Sequence, residues 1–343
     1  MNKSLDPLSV AAYDYHLPSN LIASSPANPK DSAKLLVYNR EKDEITHAIF
    51  KDILEFIPQE CAVFLNDTKV IKARLFGKKQ SGGKVELLIN SPLPNDRYLV
   101  YIRGKIKEDT YLFFEKDLSA KVIKLNSDGT RVVEFFKDSD KLSFELLNSI
   151  LEEIGHIPLP PYIKRDDNKN DEIDYQTLFA KNIGAVAAPT ASLHFTEELF
   201  IKLKKEFDTN FITLHVGAGT FKPVDVSNIK DHKMHKEFYK IPKKSAKLID
   251  SKKPILAVGT TVTRTIEYYE REKKLVGESD LFLHPNNKPI RVDHLLTNFH
   301  LPKSTLLMLV ASFIGINKTK ELYHEAIKKE YNFYSYGDAM LII

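Results

Sequence analysis

Lys121-Val-Ile-Lys-Leu-Asn-Ser-Asp-Gly-Thr-Arg-Val-Val-Glu-Phe-Phe136 decides how the chain is divided. Two runs rich in β-branched and aromatic residues flank Asn126-Ser-Asp-Gly129, a pattern that predicts a β-hairpin. Upstream, Val85, Leu87 and Ile89 alternate with Glu86, Leu88 and Asn90, the period of a half-buried strand that only Leu88 blurs. Short strands separated by turn signals predict a small barrel or sandwich over residues 69–153. The flanking sequence reads differently. Ala62–Leu65, Phe211–Val216 and Ile255–Val258 are apolar strands, and Thr196 and Ser304 can each cap a helix. Arg264 to Lys274 is helical in character, Gly155 to Tyr162 is a proline-rich extended connector, and Arg165 to Asp174 reads as an exposed charged loop. The expected fold class is therefore α/β: a mixed-sheet, barrel-like main domain built from residues 1–68 and 154–343, with an inserted small all-β barrel domain at 69–153.

Composition narrows the function classes. The 343 residues suffice for about two domains with cores of their own. A balance of 43% hydrophobic and 28% charged residues is that of a globular protein, not of a disordered chain or a disulfide scaffold. The single cysteine, Cys61, excludes an internal disulfide and a Cys-rich zinc site, and its apolar neighbours predict a buried thiol. Met1 to Pro7 lacks the apolar core of a signal peptide, and the apolar stretch Leu306–Ile314 is too short to span a membrane. The expectation is a soluble, cytoplasmic monomer.

Formal net charge is only +4, but the positive charge is clustered. Six basic residues and no acidic one lie between Lys69 and Lys84, among them Arg74, Lys78 and Lys79. Ten lysines stand against four acids between Lys222 and Lys253, among them Lys233 and Lys236. Such fields suit phosphate contacts.

Familiar catalytic signatures are missing. Gly82-Gly83-Lys84 lacks P-loop spacing, and Gly217-Ala-Gly219 is followed by Lys222 where a dinucleotide fingerprint needs glycine. His232 and His235, beside Asp231 and Glu237, give only a weak metal hint, and no metal is expected. What remains is a set of polar turns at strand ends: Asn66-Asp67-Thr68, Gly217-Ala-Gly-Thr220 and Gly259-Thr-Thr261. Small residues let backbone N–H groups approach a ligand, and ligands of α/β sheets bind beyond the carboxyl ends of strands. His194 sits at a helix entry and His215 in a strand.

Several long strings then resemble the S-adenosylmethionine:tRNA ribosyltransferase-isomerase family of queuosine biosynthesis. They are Phe64-Leu-Asn-Asp-Thr-Lys-Val-Ile-Lys-Ala-Arg-Leu-Phe-Gly77, Gly155-His-Ile-Pro-Leu-Pro-Pro-Tyr-Ile-Lys-Arg165, Tyr175-Gln-Thr177 and Gly184-Ala-Val-Ala-Ala-Pro-Thr-Ala-Ser-Leu-His-Phe-Thr196. Further on come Leu214-His-Val-Gly-Ala-Gly-Thr-Phe221, Asp231-His-Lys-Met-His235, Val258-Gly-Thr-Thr261, Leu295-Leu-Thr-Asn-Phe-His-Leu-Pro-Lys-Ser-Thr305 and Tyr334-Ser-Tyr-Gly-Asp-Ala-Met340. The sequence departs from the family's usual pattern at Ser192, at Val262-Thr263 and at His284–Pro289.

The resemblance implies that S-adenosylmethionine is consumed as a ribosyl donor, with no cofactor. Its ribosyl part passes to 7-aminomethyl-7-deazaguanine at the tRNA wobble position, and adenine and methionine leave. Set against that chemistry, His194 or else His215 is the expected proton-transfer group, with Asp67 or Asp231 orienting a histidine or facing the sulfonium. Asn66, Thr68, Thr190, Gly217, Gly219, Thr220, Thr260, Thr261, Asn298 and His300 are the expected substrate-binding residues. Arg74, Lys78, Lys79, Lys233 and Lys236 are the expected contacts to tRNA phosphates. Rival readings are an S-adenosylmethionine-dependent RNA methyltransferase, a non-catalytic RNA-binding protein built on the β-rich insert and, more distantly, a metal hydrolase.

Overall fold

The computed structural model describes residues 6–221 and 224–343. Lys222 of the second basic region and the first five residues of the leader reading lie outside the described residues. The chain opens with antiparallel β1 (Lys34–Asn39) and β2 (Glu44–Ile49), then β3 (Ala62–Asn66) and the short β4 (Thr68–Val70). Six strands follow: β5 (Arg74–Lys79), β6 (Lys84–Leu93), β7 (Arg97–Arg103), β8 (Tyr111–Phe113), β9 (Leu118–Leu125) and β10 (Arg131–Lys137). They pair antiparallel in the order β10-β7-β6-β5-β8-β9, and β10 also pairs with β9, so the sheet closes into a barrel. The alternation seen in sequence is the reason it closes around a dry core. Val85, Leu87 and Ile89 of β6 point inward with Val100, Leu112, Ala120, Val122 and Phe135. The β9–β10 hairpin turns at Gly129, whose φ is +87°. A two-residue β11 (Asp140–Lys141) pairs on β10, and α1 (Phe144–Ile154), capped by Ser143, adds Leu147 and Leu151 to the same core.

After the proline-rich connector the chain forms α2 (Asp171–Asp174), β12 (Asn182–Ala185), α3 (Glu197–Glu206), β13 (Asp208–Leu214), β14 (Glu237–Lys240) and α4 (Lys243–Ile249). It ends with β15 (Ile255–Val258), α5 (Thr260–Glu272), β16 (Val276–Ser279), β17 (His294–Asn298), α6 (Thr305–Ile314), α7 (Ile316–Lys328) and β18 (Ala339–Ile342). Nine strands make one mixed sheet in the order β16-β14-β13-β3-β15-β17-β18-β1-β2. Its centre, β13-β3-β15-β17, is parallel. Every residue of β3 and β15 is buried, because parallel strands are covered on both faces and so read as unbroken apolar runs. On one face Val63, Leu65, Leu256 and Leu296 pack against Phe195, Leu199 and Leu203 at α3. On the other, Phe64, Ile212 and Ala257 meet Val262 and Ile266 of α5, while Leu295, Met340 and Ile342 meet α6 and α7. Thr196 and Ser304 cap α3 and α6 as their positions predict.

Three local expectations are refined. Arg165 to Asp174 is mostly exposed, as expected, but it is pinned at one point: Asp171 is buried and takes both terminal nitrogens of Arg165 at 2.7 and 2.8 Å, together with the Tyr336 hydroxyl at 2.9 Å. β13 begins at Asp208 and ends at Leu214, so His215 stands just beyond the strand. Pairing with β3 overrides the weak strand preference of Asp208 and Asn210. α5 begins at Thr260, not Arg264. Its run of β-branched residues hides the helix from propensity, and Thr263 and Thr265 return their hydroxyls to carbonyls four residues back.

Candidate active site

Strands β13, β3, β15 and β17 run the same way, so Leu214, Asn66, Val258 and Asn298 end at one edge of the sheet. β18 starts there too, with Ala339 opposite Asn298. The segments leaving these ends wall a cleft of about 750 Å³, its open mouth included. Val216 and Thr220 line it after β13, Gly259–Thr261 after β15, Asn298–Leu301 after β17 and Ser335 ahead of β18. Residues 187–191, which include Thr190, add to the wall with Ser304, Leu306 and the rings of Tyr162, Tyr175 and Tyr334, and no carboxylate lines it among the described residues. Gly259, at φ +99°, lets the chain pass from β15 straight into α5, which opens its N-terminal turn onto the cleft.

One wall is a hydrogen-bonded block. Asn298 accepts from the Thr190 hydroxyl at 2.9 Å and donates to the Gly337 carbonyl and to Nε2 of His194, both at 3.2 Å. His194 packs on Phe50, and burial pushes its pKa down to about 4 against the opposing pull of the Lys30 carbonyl. It is therefore a neutral ring that accepts from Asn298. His300 faces the cleft, is bonded to the Thr297 hydroxyl at 2.7 Å and is pushed down to about 3 by burial. The Tyr162 ring lies tilted against Tyr334 with centres 4.5 Å apart and bonds Ser335 at 2.5 Å, and burial raises its hydroxyl to about 12.

The Gly217–Thr220 turn is held from two sides. Gly217 N–H donates to Glu237 at 3.1 Å, and Ala218 N–H donates to Asn90 of the barrel at 2.7 Å. Glu237 is in turn paired with Arg264 at 2.5 Å, both groups buried. A Cβ on Gly219 would meet the His235 ring at 2.5 Å, so only glycine admits that ring. His232, Met234, His235, Glu237 and Arg264 line a smaller depression that shares Thr220 and Leu306 with the cleft.

The structure thus brings Thr190, Thr220, Thr260, Thr261, Asn298 and His300 to one cleft, with Gly217 and Gly219 in the turn beside it. The residues expected to be catalytic do not line it. His194 lies behind Asn298, and His215 bonds Thr68 at 2.8 Å and stacks on Phe238. Asp231 is exposed at the end of a short 3-10 turn. Asn66 is a fully buried brace that donates to the Leu214 carbonyl and accepts from the N–H groups of Leu214 and Thr68. Asp67 accepts from Thr213 and Asn182. Strand-end position is readable from sequence, but the direction a side chain takes there depends on its neighbours across the sheet. Of the basic residues, Arg74 is tied to Glu86 at 2.6 Å, Lys79 reaches the Lys105 carbonyl, and Lys78, Lys233 and Lys236 are exposed. No group of three or more potential metal ligands occurs among the described residues.

Residues 10–342 match the family described as queuosine biosynthesis protein. The chain belongs to that family. The S-adenosylmethionine:tRNA ribosyltransferase-isomerases of Aliarcobacter butzleri and Nitratiruptor are each 62% identical over 339 residues, covering 99% of this chain and all of theirs. The crystal structure of the S-adenosylmethionine tRNA ribosyltransferase of Thermotoga maritima is similar at 35% identity, with a TM-score of 0.54 over 97% of this chain and all of that one. The strings that carry the queuosine family likeness supply most of the cleft wall. Within them Tyr162, Tyr175 and Tyr334 are not marked by residue type, and the only local signals are the prolines beside Tyr162, which fix the backbone, and Gly337 after Tyr334, which marks a turn. Asn90 and the Glu237–Arg264 pair left no local signal, because their partners are far off in sequence.

Proposed function

We propose that the chain moves the ribosyl part of S-adenosylmethionine onto the aminomethyl group of 7-aminomethyl-7-deazaguanine at the tRNA wobble position and isomerises it, giving epoxyqueuosine with loss of adenine and methionine. The observation that carries this is the 62% identity, along the whole length, with proteins named for that transfer and isomerisation. The cleft suits the donor. Its sulfonium is a cation, and the faces of Tyr162, Tyr175 and Tyr334 attract a cation without fixing it as a carboxylate would. Thr190, Thr260, Thr261, Asn298 and His300 offer neutral donors and acceptors to ribose hydroxyls and to the adenine edge.

The sulfonium acidifies the neighbouring C5′–H, and a base must take that proton. His300 in the cleft, and His232 and His235 in the adjoining depression, are the histidines with access. Burial holds His232 and His300 below the usual histidine pKa, so both rings are neutral at pH 7, and the deep burial of His300 makes it the weaker base of the two. His194 serves as a positioning residue through Asn298, and His215 through Thr68. Lys78, Lys79, Lys233 and Lys236 contact tRNA phosphates, with Arg74 weaker because Glu86 shares its charge. Residues 1–68 and 154–343 hold the donor, with 69–153 as the inserted barrel domain. The protein acts as a cytoplasmic monomer, and S-adenosylmethionine is its substrate with no metal or cofactor.

The test is to supply S-adenosylmethionine and tRNA bearing 7-aminomethyl-7-deazaguanine and to identify the small-molecule products. Adenine and methionine in equal amounts are expected. S-adenosylhomocysteine instead would make the protein a methyltransferase, and bound tRNA without turnover would leave an RNA-binding protein.

A further inference from the structure

Four aromatic side chains are exposed among the described residues, and three of them share one face of the barrel: Phe76 on β5, and Tyr111 and Phe113 on β8. Each is more than two-fifths accessible, although their strands alternate faithfully and bury Leu75 and Leu112 on the inner side. β5 and β8 are adjacent, with Lys78 opposite Phe113. The aromatic rings are interleaved with cations. The Arg74 guanidinium lies 5.4 Å from the Phe76 ring centre, and Lys121 Nζ lies 5.9 Å from that of Tyr111. Three carboxylates beside these rings, Glu86, Asp109 and Glu134, are paired with Arg74, with Lys121 and with Arg97 and Lys141. Lys78 and Lys84, opposite each other across β5 and β6, are exposed.

Scattered single apolar residues on a surface need no explanation, but clustered aromatics with interleaved lysines are the composition of a platform for single-stranded nucleic acid. Every base has a π-face, so stacking on such rings tolerates any sequence, while lysines reach the phosphates between bases. A short segment of chain tethers the face to the cleft. His156 packs edge-on to Phe76 at 5.0 Å, and the extended connector from His156 ends at Tyr162 in the cleft wall, at most about 20 Å of chain away.

We propose that the outer face of β5 and β8, centred on Phe76 and Phe113 with Tyr111 at its margin, stacks unpaired bases of the tRNA loop that flank the nucleotide entering the cleft. Lys78 and Lys84 hold the phosphates of those bases. The proposal rests on the reading of the cleft as a tRNA-modifying site, and commits to RNA rather than to a second copy of the chain.

The test compares wild type with the Phe76→Ala, Phe113→Ala double variant, using full-length tRNA and its isolated anticodon stem-loop in a direct binding titration and in adenine release. Both rings lie outside the barrel core, so the variant should stay folded, with an unfolding temperature within a few degrees of wild type. Affinity for both RNAs is expected to fall roughly tenfold or more. KM for S-adenosylmethionine and turnover at saturating tRNA should stay unchanged, as should the slope of affinity against salt. Phe76→Tyr, Phe113→Tyr should restore binding, and Lys78→Ala should flatten the salt slope instead. Unchanged RNA affinity in the double variant would overturn the proposal, as would a change confined to the sedimentation coefficient, which would make the face a contact between copies. A wild-type protein that binds tRNA but releases no adenine would count against the catalytic reading alone, and leaves the affinity comparison readable.

Discussion

Replacing Asn298 by alanine removes the centre of the cleft's hydrogen-bonded wall. Two buried acceptors, His194 Nε2 and the Gly337 carbonyl, each lose a bond of 3.2 Å, and neither opens to solvent. A buried polar group left without its partner costs about 1–3 kcal/mol, so the variant should lose roughly 2–6 kcal/mol of unfolding free energy. The Thr190 hydroxyl, bonded to Asn298 at 2.9 Å, is only part-buried and can turn to water, so it adds little. Urea unfolding at pH 7.5 measures the loss. The Asn298→Asp variant sharpens the reasoning. It sets a carboxylate oxygen against the accepting nitrogen of His194, so it should raise the His194 pKa well above the wild-type position, visible by NMR titration of the ring. An Asn298→Ala protein within about 0.5 kcal/mol of wild type would refute the network, because surface-like substitutions give changes of that size.

The pH dependence of stability has a defined sign. His194 and His300 have folded pKa values of about 4 and about 3, below the ordinary 6.5, so the unfolded chain binds more protons between those limits. Their contribution is complete above pH 6.5 and is lost as pH falls toward 4, by up to about 1.4 kcal/mol per pH unit for each ring. Chemical unfolding between pH 7 and 4.5 should show that slope, and His300→Gln should remove about half of it. In adenine release, His300→Gln should lower turnover by roughly 10²-fold or more if that ring takes the proton. His194→Ala, acting only through Asn298, should affect KM for S-adenosylmethionine more than turnover. The Ser192 hydroxyl is buried without a partner, so Ser192→Ala should leave stability unchanged or raise it by about 1 kcal/mol in thermal or urea unfolding.

Much of the fold was legible because its signals are local. The alternation Val85-Leu87-Ile89 and the turn at Gly129 specify barrel strands by their own period, and the unbroken apolar runs at Ala62 and Ile255 specify strands covered on both faces. The first turn of α5 is hidden in the sequence because Thr260 to Thr265, rich in β-branched residues, favours a strand when taken alone. Their cost is met by back-bonding and by burial against β15 and β3. The strand-end turns were legible as a site because loops after parallel strands share one edge. What sequence could not carry is orientation. Asn66 and His215 sit at the right edge, yet Asn66 braces β3 to β13 and His215 turns to Thr68. Arg264 and Glu237 lie 27 positions apart, and Asn90 and Ala218 lie 128 apart. Nothing short of the closed sheet and barrel brings them together.

The most direct measurement is mass analysis of the tRNA nucleoside after incubation with S-adenosylmethionine carrying ¹³C in its ribose carbons. The expected result is that all the ribose label appears in the modified wobble nucleoside, with adenine and methionine released in equal amount. Label retained in the donor or in S-adenosylhomocysteine, with the nucleoside unchanged or gaining only a methyl group, would contradict ribosyl transfer.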